Sequence, residues 1–179
     1  MKTAAQLALD AASVRGVSYA DARAVAIRNR SLTTKNGRVG HASESESLGI
    51  GVRVIADGAW GFAASADLSR AAVEAAAARA VEVARASARV KREDVRLAPE
   101  PVAVAEWTTP YKVDPFTTSV EQNLDLLLRV DGEMRAVPGV TLAETGMNFQ
   151  REESWFLSSE GSDIHQTKYS TGAGITAYA

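Results

Sequence analysis

The chain has 179 residues, no cysteine, 46% hydrophobic and 23% charged residues, and a formal net charge of −2. This is the composition of an ordinary globular chain, long enough to bury roughly two thirds of its unfolded surface on folding. It excludes disulfides, thiolate metal sites and a cysteine nucleophile, and it gives no electrostatic case for nucleic acid or an anionic membrane.

Thr3 to about Arg15 reads as a helix, with Ala4, Leu7 and Ala11 on one side and Gly16 as its stop. Lys2 followed by small apolar residues has the outline of a signal peptide. Gln6 and Asp10 interrupt that run, so the amphipathic helix is the reading kept. Tyr19 to Arg30 alternates as a strand, with Ala22, Ala24 and Ala26 on one face and Arg23, Val25 and Ile27 on the other. Asn36-Gly37 is a strong hairpin turn between Ser31–Lys35 and Arg38–Ser47. Alternating Ser and Glu from Ser43 to Ser47 read as a solvated strand face rather than a phosphorylation or cation site.

The clearest architectural signal runs from Leu48 to Leu68. Ile50, Val52, Val54 and Ala56 share one face at period two, opposite Gly49, Gly51, Arg53 and Ile55. Asp57-Gly58 suits a type I′ turn, whose two central residues need positive φ. Trp60 and Phe62 share a face of the return strand, opposite Gly61, and Asp67 is placed to N-cap the next helix. Ser69 to about Arg89 is the strongest helix, rich in Ala. Its apolar side holds Val73, Ala77, Ala80, Ala84 and Ala88.

Lys91 to Pro101 reads as an exposed connection, and Val102 to Trp107 as an edge strand. A further helix starts near Ser119, where Ser119 and Gln122 have capping-box spacing, with Val120, Leu124, Leu127 and Leu128 as its stripe. Strands are expected at Val140–Gln150, Glu153–Ser158 and Asp163–Ser170, with Glu160-Gly161 turning between the last two. A final strand opens at Gly172 and keeps strand character to Ala179. No run approaches the ~20 apolar residues that span a bilayer.

The chemistry-bearing motifs are missing. His41 and His165 stand far apart and in no H-E-x-x-H spacing, so neither is assigned to a metal. No G-x-S-x-G elbow anchors a serine nucleophile. Gly49-x-Gly51 and Gly172-x-Gly174 lack the third glycine of a dinucleotide loop. Glu152 and Glu153 are adjacent and point to opposite faces of a strand. Trp60, Trp107 and Trp155 are read as core or half-core residues. No catalytic, cofactor-binding or metal-ligating residue is therefore assigned.

G-V-R-V-I-A-D-G-A-W-G-F-A-A-S-A-D-L-S (Gly51 to Ser69), followed by an Ala-rich helix, resembles the N-terminal domain of the TldD/PmbA family. S-S-E-G-S-D-I-H-Q (Ser158 to Gln166) resembles a second signature of that family. The D-G-A-W-G-F-A form is more similar to the TldD branch than to the PmbA (TldE) branch. The resemblance implies the N-terminal part of a zinc metallopeptidase acting on peptides or unfolded proteins. Its zinc and its H-E-x-x-x-H helix would lie in a C-terminal part. It also implies a homo- or heterodimer with a TldD- or TldE-type subunit and a cytoplasmic address, with which the lack of cysteines agrees. Family links to gyrase modulation are too indirect to carry onto this chain.

The expectation is one α+β domain over residues 1–179, an antiparallel, hairpin-rich sheet with helices packed on one face. It would be the N-terminal domain of a longer protein cut near residue 179. Its role would be to scaffold the peptide cleft and contact its own C-terminal domain, and it would be noncatalytic when isolated. The alternatives are a free-standing peptide-binding domain and a noncatalytic TldE/PmbA-like partner subunit.

Overall fold

The backbone of the computed structural model, which describes residues 1–179, reverses where the sequence places residues tolerant of positive φ. Asn36 and Gly37 sit at +48° and +77°, and Asp57 and Gly58 at +50° and +73°. These pairs join strands β1 (Tyr19–Lys35), β2 (Arg38–Ala56) and β3 (Ala59–Ser65). Helix α1 (Lys2–Ser13) precedes them; helix α2 (Arg70–Ala88), strand β4 (Val104–Thr108) and helix α3 (Val120–Arg135) follow. Strands β5 (Leu142–Ser158) and β6 (Asp163–Tyr178) complete an α+β fold whose single sheet has the order β3-β2-β1-β5-β6-β4.

Pairing is mostly antiparallel. β2 and β3 run from Ala56 opposite Ala59 to Ile50 opposite Ser65. Ser159 N–H donates to Ala20 and Asn36 N–H to Ala143, so residue numbers fall along β5 as they rise along β1. The edge strand β4 departs from the antiparallel expectation. Asp163 N–H donates to the Ala103 carbonyl and Tyr169 N–H to the Thr109 hydroxyl, the same offset at both places. β4 therefore runs parallel to β6.

The strands are longer than the sequence suggests. Breaks expected at Ser31, before Leu48, after Gln150 and at Gly172 all fall inside continuous strands. Apolar alternation stops where a strand leaves the core, but the backbone ladder needs no apolar side chains to continue.

The chain divides into two compact units. The first holds Met1–Ala26, Ser47–Trp107 and Glu153–Thr167. Its core lies between α1, α2 and one sheet face: Ala20, Ala22 and Ala24 of β1, and Ile50, Val52 and Val54 of β2, meet Val73, Ala77, Ala80 and Ala84. Small side chains let α2 lie close to the sheet. A Cβ on Gly61 would collide with the Ala80 carbonyl and the Ala84 N–H, so backbone nearly touches backbone there. Two expectations shift. The buried stripe of α1 is Ala5, Ala8, Leu9 and Ala12 together with Ala4, rotated from the one that held Leu7 and Ala11. The α2 N-cap is Ser69, not Asp67. Asp67 accepts from the Ser69 N–H (2.8 Å) and hydroxyl (2.9 Å), closing the turn before the helix.

The second unit holds Ile27–Glu46, Thr108–Glu152 and Lys168–Ala179. The Ser119–Gln122 capping box opens α3. Leu127 of the expected stripe is buried and Val120, Leu124 and Leu128 are half-buried; the helix also buries two polar residues that the stripe did not include, Asn123 and Asp131. Asp131 is fully buried because the β1–β2 turn uses it. Its carboxylate accepts from the Gly37 N–H (2.7 Å), the Thr34 hydroxyl (3.1 Å) and Arg135 Nε (2.7 Å). A buried carboxylate is tolerable only when its lone pairs are met in this way.

Candidate functional site

The face of the first unit's sheet opposite α1 and α2 carries the alternate residues of each strand. Asp21, Arg23 and Val25 of β1 stand beside Gly51 and Arg53 of β2, Phe62 of β3 and Phe156 of β5. Together they line an open depression of about 430 Å³. Gly51 leaves room for the Phe62 ring to lie over it, and Phe62 remains 59% exposed.

A buried carboxylate organises this face. Asp21 Oδ2 accepts from Arg53 Nε (2.8 Å) and Nη2 (2.6 Å) and from the Tyr19 hydroxyl (2.9 Å). The Arg53 guanidinium also lies 4.8 Å from the centre of the Trp60 ring, and Tyr19 meets that ring edge-on. The hydrogen bond to Asp21 raises the affinity of Arg53 for its proton. Burial, then the bond to Asp21 and its charge, push the Tyr19 phenol up to about 12. Arg23 stacks 5.2 Å from the centre of Phe156 and has no carboxylate partner. Fixed guanidinium groups over aromatic rings recognise anions; this face presents no paired nucleophile and base.

His165 belongs to a second cluster of the same unit. Its Nδ1 lies 3.1 Å from Glu106 and its Nε2 3.2 Å from Glu153, and its ring stacks on Trp155 at 4.0 Å. Lys2 sits over Trp155 and pairs with Asp163 at 2.6 Å, so the cluster links α1, β4, β5 and β6. His41 is exposed and its ring nitrogen meets the Ser43 hydroxyl. Trp60 and Trp155 are half-buried, within the core or half-core expectation, whereas Trp107 is 48% exposed on the edge strand.

The exposed Ser43–Ser47 stretch, whose first four residues belong to the second unit, is not only a solvated face. Glu44 accepts from Arg28 (3.0 Å) and Arg30 (3.1 and 3.0 Å), and these guanidiniums lie over Phe116. Glu152 lies within 3.4 Å of Lys168.

Sequence reasoning placed Arg23 and Arg53 opposite their apolar faces without giving them a role. The missing signal is nonlocal: Asp21, Arg53 and Phe156 meet only through strand pairing.

These features define a class: an α+β domain with a long-stranded sheet, Ala-rich helices against one face, and a basic-aromatic groove on the other side of the first unit. Residues 20–84 match the model of PmbA/TldA metallopeptidase domain 1. Residues 20–84 are thus identified with the first domain of the PmbA/TldD family. The chain is 22% identical over 148 residues to a metalloprotease of Methanocaldococcus jannaschii, covering 82% of this chain and 32% of that protein. Its fold is that of a proposed modulator of DNA gyrase from Thermotoga maritima, with a TM-score of 0.76, 15% identity, and coverage of 99% of this chain and 39% of that one. A second such protein, from Bacteroides thetaiotaomicron, gives 0.77, 18%, and 99% and 41%. TldE from Thermococcus kodakarensis gives 0.71, 16%, and 98% and 40%. The chain thus spans about a third of its curated relative's length and two fifths of these structures. The two branches of the family are not separated by these likenesses.

A metallopeptidase family implies a metal, and the donors in this chain do not fit one. The carboxylates beside His165 stand at opposite ring nitrogens and cannot converge with it on one ion. Nowhere do three or more His, Cys, Asp or Glu side chains gather closely enough to hold one. No helix is long and apolar enough to cross a membrane.

Proposed function

We propose that this chain is the first domain of a TldD-type metallopeptidase, shaping the cleft for a peptide or unfolded protein without supplying the groups that cut it. The observation that carries this reading is the match of residues 20–84 to the first domain of PmbA/TldA metallopeptidases. A metal-dependent peptidase needs a held ion that polarises the carbonyl and lowers the pKa of its water. That ion, zinc on this reading, belongs to the remainder of a longer polypeptide. The D-G-A-W-G-F-A stretch supports the TldD branch, and the TldE fold likeness supports pairing with a TldD- or TldE-type subunit. The reading includes a cytoplasmic address, with which the lack of cysteine is compatible.

The test compares residues 1–179 with the longest reading frame that contains them, by elemental analysis and by cleavage of an unfolded protein with a chelator control. The short chain should hold no stoichiometric zinc and cut nothing; the long one should do both. Tight zinc in the short chain, lost on changing His165, would overturn the reading.

A second reading rests on β4, all five residues of which are exposed at the sheet edge. Such an edge accepts an added peptide strand through its backbone. A stop codon after Ala179, with peptide binding retained, would favour this free-standing module.

A further inference from the structure

The groove on the first unit's bare sheet face has more cation than it uses. Arg53 holds Asp21 through Nε and Nη2, and about half of its side chain is exposed. Arg23 is exposed and spends none of its N–H groups on a carboxylate. Two guanidiniums against one carboxylate leave the depression with one positive charge, in a chain whose net charge is −2. Around that charge stand Val25, Phe62 and Phe156, apolar and partly open to solvent.

We propose that this groove binds an extended acidic peptide, one carboxylate side chain between Arg23 and Arg53 and its apolar neighbours against Phe62 and Phe156. Charge complementarity selects the occupant. One surplus cation matches one carboxylate, whereas a nucleic-acid backbone needs a track of them. Guanidinium forks suit a planar carboxylate, and stacking on Phe156 and Trp60 holds both forks in place before the ligand arrives. About 430 Å³ lies within the range of ligand-sized clefts. The inference concerns recognition by this chain alone and holds whether or not the peptidase reading does.

The experiment titrates purified 1–179 into a dye-labelled, end-blocked peptide, Ala-Phe-Glu-Phe-Ala, and its Gln counterpart, reading fluorescence anisotropy. The Glu peptide should bind about tenfold more tightly, and raising salt should narrow that difference. Arg23→Gln should abolish the preference. It breaks no hydrogen bond, so its thermal midpoint should match the parent's. Should that midpoint fall, Phe62→Ala takes its place and should weaken the Glu peptide severalfold. Equal binding of the two peptides, or a preference that survives Arg23→Gln in a folded protein, overturns the proposal. So does concentration-dependent dimerisation lost in the same variant, which would make a second copy the occupant.

Discussion

At the scale of single residues, Tyr19 is the group whose chemistry the fold changes most. Its phenol, ordinarily near 10.0, is held up to about 12 by burial first and by Asp21 second. The folded value exceeds the unfolded one, so the neutral phenol's contribution to stability is whole below about pH 10. It is lost as pH climbs from 10 to 12. Tyrosinate absorbance should show one phenol titrating near 12, missing in Tyr19→Phe and shifted down in Asp21→Asn. If Tyr19→Phe removes no step near 12, the burial of the phenol and its bond to Asp21 are contradicted.

Gly58 gives a second test at this scale. At φ +73° it completes the type I′ turn with Asp57, and a β-branched side chain resists that conformation. The segment after α2 also depends on the turn, since Val95 N–H donates to the Gly58 carbonyl at 2.9 Å. Gly58→Val should cost about 1–3 kcal/mol in a denaturant titration. An unchanged midpoint would mean the backbone adapts.

At the scale of elements, α2 is held against the sheet by the smallness of what lies between. Ala84 is fully buried and within contact distance of Gly61. Ala84→Leu should overpack by about 1–3 kcal/mol, read as a lowered denaturation midpoint. Ala75, on the exposed side, should accept Lys with little change, while Ala78 is half-buried and makes a poorer control. If Ala75→Lys proves the damaging change, the buried face is misassigned.

The β1–β2 hairpin depends on a side chain distant in sequence. Asp131 of α3 meets the Gly37 N–H and the Thr34 hydroxyl, and Thr34 in turn meets Thr145 at 2.7 Å. Asp131→Ala would remove the acceptor of the Gly37 N–H and of the buried Thr34 hydroxyl, at about 1–3 kcal/mol. Hydrogen exchange should quicken at Gly37 before it does at the β2–β3 turn.

At the scale of the whole molecule, the donors are too dispersed for a metal to stabilise the chain. A ligand held only by the folded state at a hundred times its Kd adds about 2.7 kcal/mol. Equimolar zinc should therefore leave the thermal midpoint of 1–179 unmoved at micromolar concentrations. A rise of several degrees, reversed by chelator, would show that scattered carboxylates do converge.

The sequence by itself determined the elements and much of their placement. Period-two alternation located the faces of β1 and β2, the Asn-Gly and Asp-Gly pairs located both tight turns, and Ala density with a capping box located two helices. These signals are local: each rests on residues a few positions apart whose backbone preferences act before the chain collapses. The tertiary structure alone decided the rest. Whether a strand ends where its alternation ends depends on its neighbour's backbone, so the four long strands were read as fragments. The direction of β4 depends on which edge it finds. Asp131 is buried because a turn about a hundred residues away needs an acceptor, and hydrophobicity along α3 cannot report that. Asp21, Arg53 and Phe156 likewise form one groove only because strand pairing sets β1 between β2 and β5.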